Sequence, residues 1–279
     1  MNMLPYLKIT ILVDDKAPQK LTAEHGLAFW IEFGNAKLLF DTGQGPALEA
    51  NARTLGIDLS TADMVALSHG HYDHTGGLPL ALEQAPGARL HCHPSVARLR
   101  YSIKNATAKD VGMPEPARRA VGRLPGKQLA YEARPVLWSS DVGLTGPVPR
   151  RTAFETTGGP FFLDPQGVQP DAIEDDQAFW ARTREGIVVV TGCCHSGLIN
   201  TLTRVRELAG DEPILAVIGG FHLLNADADR LERTIGELRE FRPGQLIPTH
   251  CTGDGAVAAL GAASGVTVVP GKAGDTFQW

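Results

Sequence analysis

Six consecutive residues, His69-Gly70-His71-Tyr72-Asp73-His74, hold three imidazoles and a carboxylate directly after a short apolar run, Met64-Val65-Ala66-Leu67. A strand that ends in such a cluster presents nitrogen and oxygen donors from one tight loop. That donor set suits borderline divalent metals, zinc above all. His69 and His71 are two positions apart, so on extended backbone their side chains point the same way. Asp73 and His74 follow where the chain must turn, and Thr75-Gly76-Gly77 supplies the turn residues. Such a loop can hold two metals side by side, the first pair of donors on one ion and the second pair on the other. With nine histidines in 279 residues, three in six positions is not a chance grouping.

The elements that must position this loop can be read from apolar runs and turn residues. Leu7 to Val13, Leu27 to Phe33 and Lys37 to Phe40 read as strands, the last two joined by a Gly34-Asn35 hairpin signal. Asp41-Thr42-Gly43 ends the third strand, and Pro46 to Leu55 reads as a helix with proline at its start. Leu78 to Gln84 reads as a helix and Arg89 to His93 as a strand. Residues 98–128 carry several Pro and Gly plus basic residues, the character of a lid or substrate loop. Gln128 to Ser139 and Phe161 to Leu163 are strand candidates bordering that region, and Pro147 to Gly159 is loop-like. Strand and helix then alternate again. Gly186 to Thr191, Ile214 to Ile218, Gln245 to Pro248 and Val266 to Val269 read as strands. Leu198 to Leu208, Ala226 to Phe241 and Ala256 to Ala263 read as helices, with Leu231, Ile235 and Leu238 on one face of the second. The strands run into His69/His71/Asp73/His74, His195, His222 and His250. Histidines at four strand ends imply one shared edge where they converge. No composition break divides the chain, so residues 1–279 read as a single domain with an irregular insertion at about 98–128.

Hydrophobic content of 43% and charged content of 20% fit a globular protein, and a net charge of −5 supplies no field for nucleic acid. No apolar run reaches membrane-spanning length, and Met1 to Thr10 lacks the pattern of an export signal. Cys92, Cys193, Cys194 and Cys251 are not spaced as a disulfide framework, and three of them adjoin a histidine, which together read as a reducing, cytoplasmic setting. The local basic residues Arg118, Arg119, Arg123 and Lys127, with Arg150 and Arg151, read as solvated surface or as a face toward an anionic substrate. The sequence leaves the oligomeric state open.

The chain resembles the metallo-β-lactamase superfamily, whose signature His-x-His-x-Asp-His is met by His69, His71, Asp73 and His74, with Asp41-Thr42-Gly43 also matching. Further stretches resemble the subgroup of 7,8-dihydropterin-6-yl-methyl-4-(β-D-ribofuranosyl)aminobenzene 5′-phosphate synthase-like proteins. These are Glu24-His25-Gly26-Leu27 leading to Phe40-Asp41-Thr42-Gly43-Gln44, Thr191-Gly192-Cys193-Cys194-His195-Ser196-Gly197, Ile218-Gly219-Gly220-Phe221-His222-Leu223, and His250-Cys251-Thr252-Gly253. The resemblance implies an α/β fold, a four-layer αββα sandwich of two mixed β-sheets with metals at one edge. Fold alone does not set function, because this architecture carries hydrolases, oxygenases and transferases.

The resemblance also implies ligands. His69 and His71 serve a first metal, Asp73 and His74 a second, and His195 and His250 complete the set. Where many relatives carry a bridging aspartate, this chain offers Gly192-Cys193-Cys194-His195 and no carboxylate. His222 has three readings: a ligand, a general acid that protonates a leaving oxygen, or a structural histidine. Cys193 can be read as a thiolate ligand or as a small buried hydrophobe. His91 and His93 read as structural, His25 as a residue that could line the pocket, and Asp41 as a source of hydrogen bonds that orient the metal loop.

The expected function is metal-dependent hydrolysis by a metal-bound hydroxide, with two divalent ions, zinc ahead of manganese or iron. Asp73 would orient the water and His222 would serve as the acid. A phosphoester, phosphodiester or other anionic small molecule would be the substrate, with no nucleic-acid or membrane partner. The alternatives are an iron-dependent oxidoreductase or oxygenase on the same fold, and a non-catalytic metal-binding sensor module.

Overall fold

The computed structural model describes residues 6–279, so the first half of the N-terminal stretch expected to lack an export signal lies outside the described residues. β-Branched and aromatic residues open the chain as β1 (Leu7–Val13), β2 (Ala28–Phe33) and β3 (Ala36–Phe40). Gly34-Asn35 closes the β2–β3 hairpin, with Phe29 opposite Phe40 and Phe33 opposite Ala36. Helix α1 (Pro46–Leu55) starts on its proline and ends at Gly56 in the left-handed conformation. Next come β4 (Met64–Ala66), the single-turn α2 (Tyr72–Thr75), α3 (Leu78–Gln84) and β5 (Arg89–Cys92).

Residues 98–128, expected to be irregular, contain the hairpin β6 (Tyr101–Lys104) and β7 (Thr107–Asp110) and then helix α4 (Glu115–Arg123). The hairpin turn, Asn105-Ala106, takes positive φ at both residues and lacks the glycine that usually signals such a turn. Gln128 to Ser139 divides into β8 (Leu129–Tyr131) and β9 (Val136–Ser139), which pair in different sheets. The remaining elements are β10 (Val142–Leu144), β11 (Phe161–Phe162), β12 (Ala178–Arg182), β13 (Ile187–Thr191), α5 (Leu198–Ala209), β14 (Ile214–Gly220), α6 (Ala228–Phe241), β15 (Gln245–Thr249), α7 (Asp254–Ala263), β16 (Thr267–Val268) and β17 (Thr276–Gln278).

These elements group into two compact units interleaved along the chain. The first comprises Tyr6–Ala133, Pro160–Asp175 and Lys272–Trp279. Its main sheet has the strand order β17-β1-β2-β3-β4-β5-β8. Pairing is antiparallel from β17 to β3 and parallel from β3 to β8. Leu12, Trp30, Leu39, Leu48, Leu67, Leu78 and Leu90 pack into one core cluster with Val121 of α4. A small sheet of order β11-β6-β7 belongs to the same unit.

The second unit contains Arg134–Gly159 and Asp176–Gly271. Its sheet has the order β16-β15-β14-β13-β12-β10-β9, parallel from β16 to β13 and antiparallel beyond. Trp180, Val189, Leu202, Val217, Leu238, Leu246 and Leu260 share its core. Burying each such leucine or valine contributes about 1.5–3 kcal/mol. Parallel neighbours bring the carboxyl ends of β13, β14 and β15 to one sheet edge, where Gly219 pairs with Pro248 and Gly220 with Thr249. His195, His222 and His250 therefore follow strands that end together, whereas His69 follows β4 of the other sheet. Among the described residues no helix is long and apolar enough to cross a membrane.

Candidate metal centre

In the first unit, β4 delivers Ser68 and His69 into a loop that closes as α2. His69, His71 and His74 are 0%, 5% and 0% exposed, so three imidazoles are withdrawn from water together. Nε2 of His69 is 3.0 Å from Nδ1 of His71, and the His69 and His74 rings are 4.3 Å apart between centroids. Burying three polar rings against one another is costly unless their nitrogens have partners, and nitrogens brought this close can share one. A divalent cation suits that convergence of imidazole nitrogens, so the residues present fit the metal that the sequence suggests.

Asp41 supports this loop as expected. Its carboxylate accepts from the Ser68 backbone N–H and the Ser68 hydroxyl, each at 2.7 Å, and lies 2.7 Å from Nδ1 of His74. The Ser68 hydroxyl proton is thus committed to Asp41, and Ser68 Oγ faces Nδ1 of His69 at 2.9 Å. With both Nδ1 atoms so engaged, the Nε2 lone pairs of His69 and His74 face outward from these anchors. The surrounding motif residues have mechanical roles. Thr42 donates from its backbone N–H and its hydroxyl to the His74 carbonyl at 2.8 and 2.9 Å. Glu24 accepts from the Gln44 and Ala47 amides at the start of α1. A Cβ on Gly26 would stand 2.6 Å from the Asp73 carbonyl oxygen, so the close approach requires glycine.

A second support was not visible in the sequence. Asp175 accepts from the Gly70 backbone N–H at 2.8 Å and from Arg100 Nη2 at 2.7 Å. Arg100 is wholly buried, and its Nε is also 3.3 Å from Asp171. The ion pair therefore ties the base of the β6–β7 hairpin to the backbone between His69 and His71. No periodicity or motif marks Arg100 or Asp175, and only their opposite charge hints at the pairing. Asp73 turns toward His25, with Oδ2 and Nε2 3.3 Å apart, while Nδ1 of His25 is 2.9 Å from Asp15. The Phe161 ring of β11 packs tilted at 39° against the His71 ring with centroids 5.1 Å apart, and Lys109 of β7 donates to the Tyr72 hydroxyl at 3.2 Å.

In the second unit the His195 and His222 rings are 4.2 Å apart, and His195 Nδ1 donates to the Thr157 carbonyl at 2.9 Å. Asp176 accepts from the Ser196 backbone N–H at 2.7 Å, and burial pushes its carboxyl up to about 6. Glu155 accepts from the Ile199 and Asn200 amides at the start of α5. Burial likewise raises its carboxyl above the usual glutamate range. Cys251 Sγ points at the Cys193 carbonyl oxygen at 3.6 Å. Asp41, Cys194, His222 and His250 hold left-handed backbone, φ 61°, 62°, 46° and 47°, each at or just past a strand end. Such conformations cost about 1–3 kcal/mol apiece and persist where the surroundings impose them, often at functional sites.

Other candidates serve the chain itself. His91 lies 3.5 Å from Glu132, and burial lowers its affinity for a proton. Nδ1 of His93 accepts from the Ser95 amide. Arg118 donates to the Met113 carbonyl, Arg119 pairs with Glu115 and Arg151 with Glu207. Those arginines, read from sequence as a possible face toward an anion, are engaged within the protein.

Two mixed sheets, with histidines at the carboxyl ends of their parallel strands and an orienting aspartate, define a metal-binding α/β protein. The sequence profile of the metallo-β-lactamase superfamily matches residues 21–203, and the chain belongs to that superfamily. A 7,8-dihydropterin-6-methyl-4-(beta-D-ribofuranosyl)-aminobenzene-5'-phosphate synthase of Methanocaldococcus jannaschii is 28% identical, over 88% of each chain. An uncharacterised protein of the same organism is 30% identical over 90% of this chain and 93% of its own. Among solved structures, a metal-dependent hydrolase of the β-lactamase superfamily matches with a TM-score of 0.80 at 30% identity, covering 97% of this chain and 98% of that one. The fold is thus the metallo-β-lactamase fold, an α/β architecture with mixed sheets.

Proposed function

We propose that this protein is a metal-dependent hydrolase acting on an anionic small molecule, a phosphoester or phosphodiester ahead of a neutral lactam. The observation that carries this reading is the buried convergence of His69, His71 and His74, locked from behind by Asp41. We assign His69, His71, Asp73, His74, His195 and His250 as ligands to two divalent ions, zinc ahead of manganese or iron. When bound, such ions lower the pKa of water to about 7 and polarise a phosphoryl or carbonyl oxygen.

The chain's own groups have the remaining tasks. Asp73 orients the attacking water, with His25 beside its carboxylate. His222 either protonates the leaving oxygen or is a further ligand. Lys109, held over the Tyr72 ring at 4.8 Å, supplies a cation next to the metal loop and favours an anionic substrate. The β6–β7 hairpin that carries it fits the lid role expected of residues 98–128. The cysteine setting favours the reducing cytoplasm as its place of work.

Elemental analysis of protein purified without added metal tests the reading, followed by a phosphoester and phosphodiester panel. Two zinc or manganese ions per chain with turnover support it. Replacing His71 with Ala is expected to remove both metal and activity. Full hydrolysis by that metal-free variant overturns the proposal, and one iron per chain redirects it to oxygen chemistry.

A further inference from the structure

The edge formed by β13, β14 and β15 gathers sulfur as well as imidazole. Cys193 Sγ and one ring nitrogen each of His195 and His222 all lie within 4.8 Å of one another. Cys193, His250 and Cys251 satisfy the same limit, so Cys193 is common to both groups. Donors on a tetrahedral zinc, at about 2.0 Å for nitrogen and about 2.3 Å for sulfur, stand roughly 3.3–3.5 Å apart, inside that limit.

Charge points to the sulfur. The loops Gly192 to Gly197, Gly219 to Leu223 and Thr249 to Gly253 contain no aspartate or glutamate. Two buried carboxylates of this unit are engaged elsewhere, Asp176 with the Ser196 amide and Glu155 with the first turn of α5. Within these three loops, the side chain able to give a dication an anionic donor is a cysteine thiolate. Of the sulfurs here, Cys194 packs in the hydrophobic core with its Sγ 3.3 Å from Thr201 Oγ1, and Cys251 points at a backbone carbonyl. Cys193 is 3% exposed and is the one grouped with both His195 and His222.

The loops are shaped to hold that triad. The bond from His195 Nδ1 to the Thr157 carbonyl leaves Nε2 as the nitrogen with the lone pair. Next to Thr157, Gly158 has φ +81°, and a Cβ there would stand 2.0 Å from Cδ2 of His222. A Cβ on Gly220 would stand 2.6 Å from Cys251 Sγ and 2.7 Å from the Gly192 carbonyl oxygen, so glycine lets the two cysteine-bearing loops approach.

We propose that Cys193 is a thiolate metal ligand, acting with His195 and His222. The soft donor selects zinc over magnesium or manganese. Binding releases the thiol proton to solvent as the metal–sulfur bond forms.

The proposal rests on the metal centre put forward above, and the test separates the two. The full-length protein is loaded with cobalt(II) or zinc, its metal content is measured, and its spectrum is recorded. A sulfur-to-cobalt charge-transfer band, and a zinc–sulfur distance near about 2.3 Å by X-ray absorption, are expected. Cys193→Ser is expected to abolish the band and Cys251→Ser to retain it. If Cys193→Ser does not fold, the wild-type spectrum together with Cys251→Ser still decides. Metal bound with nitrogen and oxygen donors alone overturns the cysteine assignment and leaves the hydrolase reading standing. So does a band that survives Cys193→Ser or is lost in Cys251→Ser. Protein that takes up no metal overturns both.

Discussion

Asp41 Oδ2 and His74 Nδ1 are 2.7 Å apart, with both side chains wholly buried. The same carboxylate holds the Ser68 amide and hydroxyl, so one residue at the end of β3 fixes the ring orientation at both ends of the histidine loop. Its left-handed backbone, φ 61°, is the conformation that turns the carboxylate back beneath that loop.

Asp41→Asn therefore isolates the charge. Asparagine tolerates left-handed backbone and keeps the side-chain shape. Its amide cannot accept from Ser68 and His74 as the carboxylate does. Metal affinity is expected to fall about 10–100-fold while the fold is retained. Competition against a chelator of known affinity measures this, and an unchanged dissociation constant would show that Asp41 does not orient the ligands.

Arg100 and Asp175 form a wholly buried pair whose other end is the Gly70 amide. Breaking one side of such a pair leaves the partner charge uncompensated, at a cost of about 3–5 kcal/mol. Arg100→Met is expected to lower stability by that amount in urea denaturation. Arg100→Met with Asp175→Leu is expected to be less damaged than the sum of the two single variants. Strict additivity would mean that the pair carries no coupling.

The parts of this centre that lie close in sequence were the legible ones. His69 to His74 occupy consecutive positions, and the strands before His195, His222 and His250 are strongly apolar. Those regularities are local, and the helices Pro46–Leu55 and Leu78–Gln84 were likewise readable to the residue. Pairings between distant stretches were not. Asp175 reaches Gly70 across 105 positions and Arg100 across 75, and neither belongs to a periodic run. The β6–β7 hairpin escaped because Asn105-Ala106 makes a turn that glycine normally marks. Strands β10 and β17, three residues each, are too short to show an alternation. The resemblance anticipated the role of Asp41, because the Asp41-Thr42-Gly43 motif travels with the histidine signature.

Glu155 gives a pH-dependent stability that can be assigned to one group. Burial is the largest influence on its carboxyl and raises its pKa above the ordinary 4.5, against the lowering effect of bonds from Thr152, Ile199 and Asn200. The native protein then holds the proton more tightly than the unfolded chain does. Its contribution to stability is complete below the ordinary value and is lost as pH climbs through the raised one. Glu155→Gln cannot titrate, so the wild type should lose stability relative to this variant as pH rises from about 4.5. The difference between their urea midpoints, measured at steps of pH with metal content held equal, follows that loss directly. A difference that stays constant across the acid range would mean that Glu155 has the same proton affinity folded and unfolded. The bonds it accepts at the start of α5 would then offset its burial in full.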